Sequence, residues 1–219
     1  EITLAAIRVG VKQLKVGMKP NELAGIINKA QAQLGGEPDF ALCLFGEASA
    51  FPHGTKELRT LRKGDIVLMD CGCKLHGYCS DVTRTVVYGA APTKRQREIW
   101  NLEKKAQAAG FAAAQIGVPC GNVDAASRKV ITDAGFGPGY TTPGLPHRTG
   151  HGIGMDGHEW GNMVKGNPLI LAAGMCFSIE PTIAIPGEFG VRFEDCVYMT
   201  EDGPKWFTQP SNSIEEPLL

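Results

Sequence analysis

Two segments indicate the central β-hairpin of the fold: Gly64-Asp-Ile-Val-Leu-Met-Asp70-Cys-Gly72 and Tyr78-Cys-Ser-Asp81-Val-Thr-Arg-Thr85. Both segments are rich in apolar and β-branched residues, and the short turn between them predicts a β-hairpin. Each strand carries an aspartate, Asp70 or Asp81, among apolar neighbours. Two carboxylates therefore meet inside a core, where an ionised carboxylate is costly unless it is paired or bound to a metal ion.

The elements on either side of this hairpin repeat one order along the chain. Apolar spacings of three and four predict helices, and apolar runs bounded by turn residues predict strands. The predicted elements are helices over 4–16 and 20–34, an extended segment over 37–45, strands over 65–73 and 77–88, helices over 94–114 and 123–134, and strands over 175–185 and 190–199. Each half is helix, helix, then paired strands. We therefore predict one α+β domain over residues 1–219, with two pseudo-equivalent halves around one shared sheet.

The second strand pair repeats the placement of buried acids, with Glu180 on one apolar strand and Glu194 on its presumed partner. The nearby Arg84 and Arg192 cannot balance four buried carboxylates. A set of carboxylates with one imidazole, for which His151 is the candidate, suits divalent manganese, cobalt, iron or zinc. Two such ions offset four negative charges and lower the pKa of a water between them enough to supply hydroxide near neutral pH. The pattern therefore predicts a hydrolytic dinuclear metal site.

Composition excludes several other classes of protein. The 22 basic and 23 acidic residues leave a net charge of −1, which favours neither nucleic acid nor an anionic membrane as a partner. The most apolar stretch, 169–185, contains Glu180 and falls short of the roughly 18 uncharged residues of a spanning helix. The seven cysteines contain no Cys-x-x-Cys pair, which predicts reduced thiols and a cytoplasmic location. Glycine is abundant at 28 residues, and many of these lie beside the candidate site, where the backbone has to turn tightly or pass closely.

Three further motifs complete a recognisable set: His151-Gly-Ile-Gly-Met-Asp-Gly-His158-Glu, Ser178-Ile-Glu180-Pro and Val191-Arg-Phe-Glu194-Asp. Together with the two aspartate motifs, and in this order, they resemble the pita-bread metallopeptidases, which include methionine aminopeptidases, Xaa-Pro aminopeptidases and Xaa-Pro dipeptidases (prolidases). The resemblance implies the pita-bread fold and two divalent ions, with manganese as the first expectation and cobalt, zinc or iron as alternatives. The implied metal ligands are Asp70, Asp81, His151, Glu180 and Glu194, of which Asp81 and Glu194 lie nearer the bridging role.

The resemblance also implies roles for residues around the metal ions. His53 matches a pocket histidine that contacts substrate, and His158 matches one that stabilises the tetrahedral oxyanion; both are candidate catalytic and substrate-binding residues. Glu180 is the third candidate catalytic residue, because it also delivers a proton to the leaving nitrogen. His147 and Arg192 match positions of the proline-specific branch, where they help to bind the residue after the cleaved bond. We therefore expect hydrolysis of the X–Pro bond in dipeptides or short peptides.

Alternatives remain at this point. Xaa-Pro peptidases usually carry an additional N-terminal domain that partly caps the site and supports dimerisation, and this chain shows none. The lack of that domain favours a methionine aminopeptidase, which often consists of the catalytic domain alone. A homodimer is a further expectation. A third hypothesis, from another class, is a non-catalytic binding module on the same fold. No implied metal ligand is missing, which disfavours that module and also a creatinase-like enzyme.

Overall fold

The computed structural model describes residues 1–56 and 59–218 as two helix pairs packed on antiparallel strands. The first half contains α1 Ile2–Lys12, α2 Pro20–Gln33, β1 Glu37–Phe45, a 3₁₀ helix Gly46–Ala50, β2 Ile66–Leu75, β3 Tyr78–Cys79 and β4 Val82–Val87. The second half contains α3 Lys94–Ala113, α4 Cys120–Asp133, β5 Gly150–Gly152, β6 Glu159–Met163, β7 Cys176–Ile179, β8 Thr182–Ile185, β9 Phe189–Arg192, β10 Asp195–Thr200 and β11 Gly203–Trp206. The predicted order of helix, helix and paired strands in each half is confirmed. None of the described helices is long and apolar enough to span a bilayer.

The first half is built on long antiparallel strands. β2 is central, because it pairs with β1, β3 and β4. Its inner face packs against α1 and α2 in a core that includes Ile7, Leu23, Ile27, Val67 and Met69. The two helices approach closely at Gly10, where a Cβ atom would lie 2.8 Å from Cγ1 of Ile27. This close crossing brings both helices onto one face of the sheet.

The second half uses the same plan with shorter strands. Its five-stranded sheet has the order β11-β10-β7-β5-β6, and β8 and β9 form a separate hairpin. α3 begins at a capping box in which Thr93 Oγ1 accepts from the Gln96 N–H, and it crosses α4 closely at Gly110. A Cβ atom at Gly110 would lie 2.4 Å from Oγ of Ser127 on α4. Each half therefore has one glycine where its two helices cross.

Several element boundaries differ from the sequence prediction. α1 ends at Lys12 rather than at 16, because the chain turns away and adopts a positive φ at Gly17. α4 begins at Cys120, three residues earlier than predicted, directly after Pro119. The predicted strand 77–88 is interrupted at Ser80 and Asp81, although the register is kept: Lys74 faces Cys79 and Cys71 faces Val82.

The predicted single shared sheet is instead three hydrogen-bonded groups of four, five and two strands. An isolated bridge, in which Thr83 and Glu194 exchange backbone hydrogen bonds of 3.3 and 3.2 Å, joins the first half to the second. The strands of the second half break at Glu180-Pro181, where proline lacks a backbone N–H for the ladder. The bridge at Glu194 is thus one of the backbone links between the halves, and the Cys79 N–H, which donates to the Gly154 carbonyl at 2.7 Å, is another.

Candidate metal centre

Three of the four predicted carboxylates, Asp81, Glu180 and Glu194, lie where the strand ladders are interrupted, and Asp70 lies within the continuous ladder of β2. In the second half, Ile179 faces Asp195 and Thr182 faces Arg192. The same register on both sides of the gap places Glu180 directly opposite Glu194. In the first half, Asp70 faces Thr83 on β4, and Asp81 lies in the gap between β3 and β4. A carboxylate at such a gap can turn out of the strand plane, which is how the fold gathers acids from both halves.

His151 is brought to these carboxylates by β5, between two glycines. A Cβ atom at Gly150 would lie 1.9 Å from the backbone oxygen of Ser178, and one at Gly152 would lie 1.9 Å from that of Trp160. Only glycine fits at these two positions, because any side chain would collide with the backbone of the neighbouring strand. His151 Nδ1 lies 3.1 Å from the Gly152 carbonyl, so this nitrogen carries the proton. The lone pair of Nε2 is therefore free to bind a cation.

The imidazole lies within one coordination sphere of three carboxylates. His151 Nε2 is 3.2 Å from Glu180 Oε1, 3.6 Å from Asp81 Oδ2 and 3.7 Å from Glu194 Oε1. Ligand atoms of His151, Glu180 and Glu194 lie within 4.8 Å of one another, as do those of Asp70, Asp81 and Glu194. Glu194 belongs to both groups. The five predicted ligands thus include two adjoining groups that could each hold a metal ion and that share one residue, and Asp81, His151 and His158 form a third candidate group.

The charges and free oxygen atoms of this cluster fit divalent cations. Asp81 Oδ1 and Glu194 Oε1 are buried and have no hydrogen-bond partner among the described residues. Burial, with repulsion from neighbouring carboxylates, raises the pKa of Asp81 and Glu194 well above the usual values, and burial raises that of Glu180 to about 7. Burial lowers the pKa of His151 to about 4, so the imidazole is neutral, as metal binding requires. Such a group of repelling, unpartnered acids is stabilised by positive charge.

Asp70 and Glu194 are held by two residues behind the cluster. The guanidinium of Arg192 donates through Nη2 to Asp70 Oδ2 and through Nε, at 3.2 Å, to Thr83 Oγ1. Thr83 Oγ1 lies 3.0 Å from Asp70 Oδ1 and 2.9 Å from Glu194 Oε2. Arg192 is buried and engaged with a carboxylate of the cluster, although it also lines the cavity in front of it. Its predicted contact with substrate stays a prediction.

The cluster forms the floor of a cavity of about 740 Å³. His158 stands beside the floor with its ring edge-on to that of His151, at a centroid distance of 4.2 Å. His53 and His147 lie on the wall, 6.3 Å apart between ring centroids. The structure therefore brings all of the predicted site histidines into one cavity, and His76 lies apart in the turn after β2, as expected.

His147 is held in one orientation by hydrogen bonds to both ring nitrogens. Nδ1 donates to the Arg148 carbonyl at 2.7 Å, and Nε2 accepts from Thr182 Oγ1 at 2.9 Å. Burial, followed by the charge of Arg192, lowers its pKa to about 3. The ring is therefore neutral at physiological pH and is a poor candidate for the cation that meets a substrate carboxylate.

Several residues that support the site were missed by the sequence reading. Arg148 lines the cavity and donates from Nη1 to Asn162 Oδ1 at 2.7 Å. Behind Glu194, Arg84 Nη2 pairs with Asp195 Oδ1 at 2.6 Å, and Gln107 Nε2 donates to Asp195 Oδ2 at 3.0 Å. Arg148 lies three residues before His151, so its position in the sequence could have indicated that it belongs to the site. Gln107 gave none, because a polar residue in an amphipathic helix usually faces solvent.

The cysteines take no part in this site. Cys71 and Cys73 are buried and Cys79 is half-buried, and all seven cysteines are free thiols. No cysteine belongs to a metal-binding group within 1–56 and 59–218. Cys71 and Cys73 are therefore small buried side chains of the core.

Comparison with known proteins agrees with this geometry. A curated Xaa-Pro dipeptidase from Lactobacillus helveticus is 39% identical over 213 residues, which cover 96% of this chain and 56% of the relative. The solved prolidase from Pyrococcus furiosus superposes with a TM-score of 0.89 at 33% identity, covering 96% of this chain and 61% of that one. The X-Pro aminopeptidase from Thermotoga maritima gives a TM-score of 0.89 at 29% identity, with 96% and 59% covered.

The chain spans about half the length of the curated relatives it matches. The superposition confirms the predicted pita-bread architecture. The profile of metallopeptidase family M24 matches residues 1–201, a range that includes every residue of the cluster. Members of this family use divalent metal ions, and the arrangement of acids around His151 suits them. The chain belongs to metallopeptidase family M24.

Proposed function

We propose that this chain hydrolyses the peptide bond before proline in dipeptides and short peptides, using two divalent metal ions. The observation that carries the proposal is the pair of adjoining ligand groups that share Glu194, at the floor of a cavity lined by three histidines besides His151. Support comes from the relatives, which include enzymes named Xaa-Pro dipeptidase and prolidase. Manganese is the metal we expect, and the free thiols support a cytoplasmic location.

Each part of the site has a proposed role. The ligands are Asp70, Asp81, His151, Glu180 and Glu194. The chemistry that bound divalent cations supply is a lowered pKa for water and polarisation of a carbonyl oxygen. Glu180 takes the proton that water releases on attacking the carbonyl carbon and delivers this proton to the nitrogen of proline. His158 donates a hydrogen bond to the oxyanion, and His53 and His147 contact the residue on the far side of the cleaved bond.

Arg148 is the cation that we assign to the substrate carboxylate. In an X-Pro dipeptide the proline itself carries the free carboxylate, and the cavity has to offer that carboxylate a positive charge. Arg192 is engaged with Asp70, and His147 is neutral. Arg148 lines the same cavity and donates to Asn162 through Nη1, and the other N–H groups of its guanidinium are the donors that we assign to the substrate carboxylate.

A substrate panel tests the reaction. Manganese-loaded protein is incubated with Met-Pro, Gly-Pro, the tripeptide Met-Pro-Gly, and Met-Ala-Ser, and the products are separated by chromatography. We expect turnover of the first two, with turnover of Met-Pro-Gly measuring the preference for length. Turnover of Met-Ala-Ser alone would establish a methionine aminopeptidase instead, and no turnover with fully bound metal would establish a binding module. Light scattering on the same samples tests the expected homodimer.

The carboxylate contact is tested by comparing Met-Pro with its amide, which lacks the negative charge. In the unchanged protein, kcat/KM should be about 10- to 150-fold higher for Met-Pro, the value of a hydrogen bond between charged groups. Arg148→Met should remove most of that ratio by lowering kcat/KM for Met-Pro alone. A ratio that Arg148→Met leaves intact would remove Arg148 from substrate binding.

A further inference from the structure

A buried ion pair on α4, between Arg128 and Asp124, lies outside the carboxylate cluster. Every N–H group of the Arg128 guanidinium donates a hydrogen bond. Arg128 Nε and Nη2 donate to the two carboxylate oxygens of Asp124, at 3.1 and 3.0 Å, across one helical turn. Asp124 is 1% exposed and Arg128 is 9% exposed. The remaining three guanidinium N–H groups donate to backbone carbonyls, so all five donors of the arginine are satisfied.

Those three carbonyls belong to the segment that leads into the candidate site. Arg128 Nη1 donates to the carbonyls of Gly139 and Leu145, at 2.6 and 2.7 Å, and Nη2 donates to that of His147 at 2.9 Å. The guanidinium also lies over the ring of Tyr140, 4.1 Å from its centroid. One side chain of α4 therefore holds this glycine-rich segment at three points, in the absence of a regular strand.

Asp124 extends the same contact toward the metal ligands. Its Oδ1 accepts from Thr149 Oγ1 at 2.9 Å and, at 3.2 Å, from the Thr149 N–H, which also donates to the Met163 carbonyl at 2.8 Å. The Thr149 carbonyl in turn accepts from the backbone N–H of Glu180 at 2.7 Å. The ion pair thus fixes the main chain on both sides of Arg148, two residues before His151 and opposite Glu180.

A second pair on the same helix shows that stability of the helix alone does not need this arrangement. Lys129 Nζ lies 2.7 Å from Asp133 Oδ2, also at a spacing of four residues, but both side chains are exposed. Such an exposed pair contributes little to stability, because water screens both charges. Burying Asp124 and Arg128 is far more demanding, because each charge has to be fully hydrogen-bonded. Here that requirement is met mainly by the segment that carries His147 and Thr149.

We propose that Arg128 and Asp124 are positioning residues for catalysis, which set the main chain of His147 and Thr149 and thereby aim the His147 imidazole into the substrate cavity. This inference rests on the proposed function for its kinetic consequence. Only the planar fork of arginine reaches Asp124 and three carbonyls together, so lysine cannot replace it. A displaced His147 contacts the residue after the cleaved bond less well, so substrate binding is lost before metal binding.

The experiment compares Arg128→Lys with the control Lys129→Met in the manganese-loaded protein. We expect Arg128→Lys to raise KM for Met-Pro by about tenfold or more, with a smaller change in kcat and unchanged metal content. Lys129→Met should match the unchanged protein. In a His147→Ala background, Arg128→Lys should have little further effect on KM, because its action passes through the missing ring. Equal effects in both backgrounds would overturn the proposal in favour of a purely structural role.

A readout without turnover separates this proposal from the proposed function. In the zinc-loaded protein, where no paramagnetic ion broadens the signal, the His147 Nδ1–H, hydrogen-bonded to the Arg148 carbonyl, should give a downfield proton resonance that is assigned by its loss in His147→Ala. Arg128→Lys should shift or broaden this resonance, and Lys129→Met should leave it in place. An unchanged resonance in Arg128→Lys would overturn the proposal even if Met-Pro is hydrolysed. If Arg128→Lys does not fold, Asp124→Asn, which keeps the shape and removes the charge, is measured in the same way with the same deciding outcomes.

Discussion

The two halves share one plan but hold their functional side chains by different means. In the first half, β1 and β2 have nine and ten residues, and a continuous ladder positions Asp70. In the second half, β5, β7, β8 and β9 have only three or four residues each. Buried polar contacts take over there, such as Arg84 with Asp195 and Arg128 with Asp124. The comparison teaches that backbone pairing supports one side of the site and side-chain hydrogen bonds support the other.

This difference predicts that substitutions in the second half affect chemistry more than stability. The largest expected effect is that of Glu180→Gln, which removes a proposed ligand and proton carrier from the gap in the strand pair. We expect kcat for Met-Pro to fall about 10²- to 10⁴-fold, while circular dichroism stays unchanged. Glu188→Gln is the control, because Glu188 is an exposed acid of the same half that pairs with Arg95. Activity close to that of the unchanged protein in Glu180→Gln would contradict the dinuclear scheme.

His158→Ala tests the wall of the cavity on the same side. Loss of an oxyanion donor should lower kcat about 10²- to 10³-fold with metal content unchanged. His158 also lies within ligand distance of Asp81 and His151, so metal analysis is part of the test. The loss of one metal ion per chain would make His158 a ligand rather than a hydrogen-bond donor. His76→Asn is the matched control, since His76 lies in a turn at φ 53°, which asparagine tolerates.

Metal binding should couple the two halves in a pH-dependent way. The raised pKa of Glu180, about 7 against 4.5 in an unfolded chain, means that the metal-free folded protein retains a proton that the unfolded chain has released. This contribution to stability is therefore complete below about pH 4.5 and is lost as the pH rises through about 7. Asp81 and Glu194 shift in the same direction.

Divalent ions require ionised ligands, so their stabilising effect should grow over the same pH window. At pH 7.5, manganese at a hundredfold excess over its Kd should raise Tm by about 5–10 °C over the chelator-treated protein. At pH 5 and the same manganese concentration, the gain in Tm should be smaller. Thermal scans at both pH values measure it, and an equal gain at the two pH values would contradict the role of these carboxylates.

The smallest expected effects come from the glycines at the two helix crossings. Gly10→Ala and Gly110→Ala should each destabilise the protein by about 1–3 kcal/mol, because the added Cβ meets Ile27 or Ser127. Urea unfolding measures this loss. At Gly110 the Cβ would also lie 3.3 Å from Ile179, the neighbour of Glu180, so only Gly110→Ala should lower kcat/KM as well. Equal kinetic effects of the two variants would remove the proposed difference between the halves.

The elements and the cluster differed in how well the sequence predicted them. Helices α2 and α3 were predicted within one residue at each end from their apolar spacing, and the structure shows Pro20 and the Thr93 capping box at their starts. The strand gaps at Asp81 and Glu180 were not predicted, since apolar runs continue across both. The acids were recognised as exceptional because ionised groups are rare in apolar strands. The buried polar supports in α3 and α4 gave no such signal.

The order of the main elements, the ends of α2 and α3, and the identity of the residues with unusual chemistry follow from the sequence alone, because periodicity and turn residues are local properties. The sequence also indicated that four buried acids and an imidazole require compensating charge. Only the tertiary structure decided which acids lie opposite each other, that Glu194 joins both ligand groups, and that Arg192 holds Asp70. Those relations depend on the register of strands far apart in the chain and on helices packed behind them, and no local pattern fixes such distances.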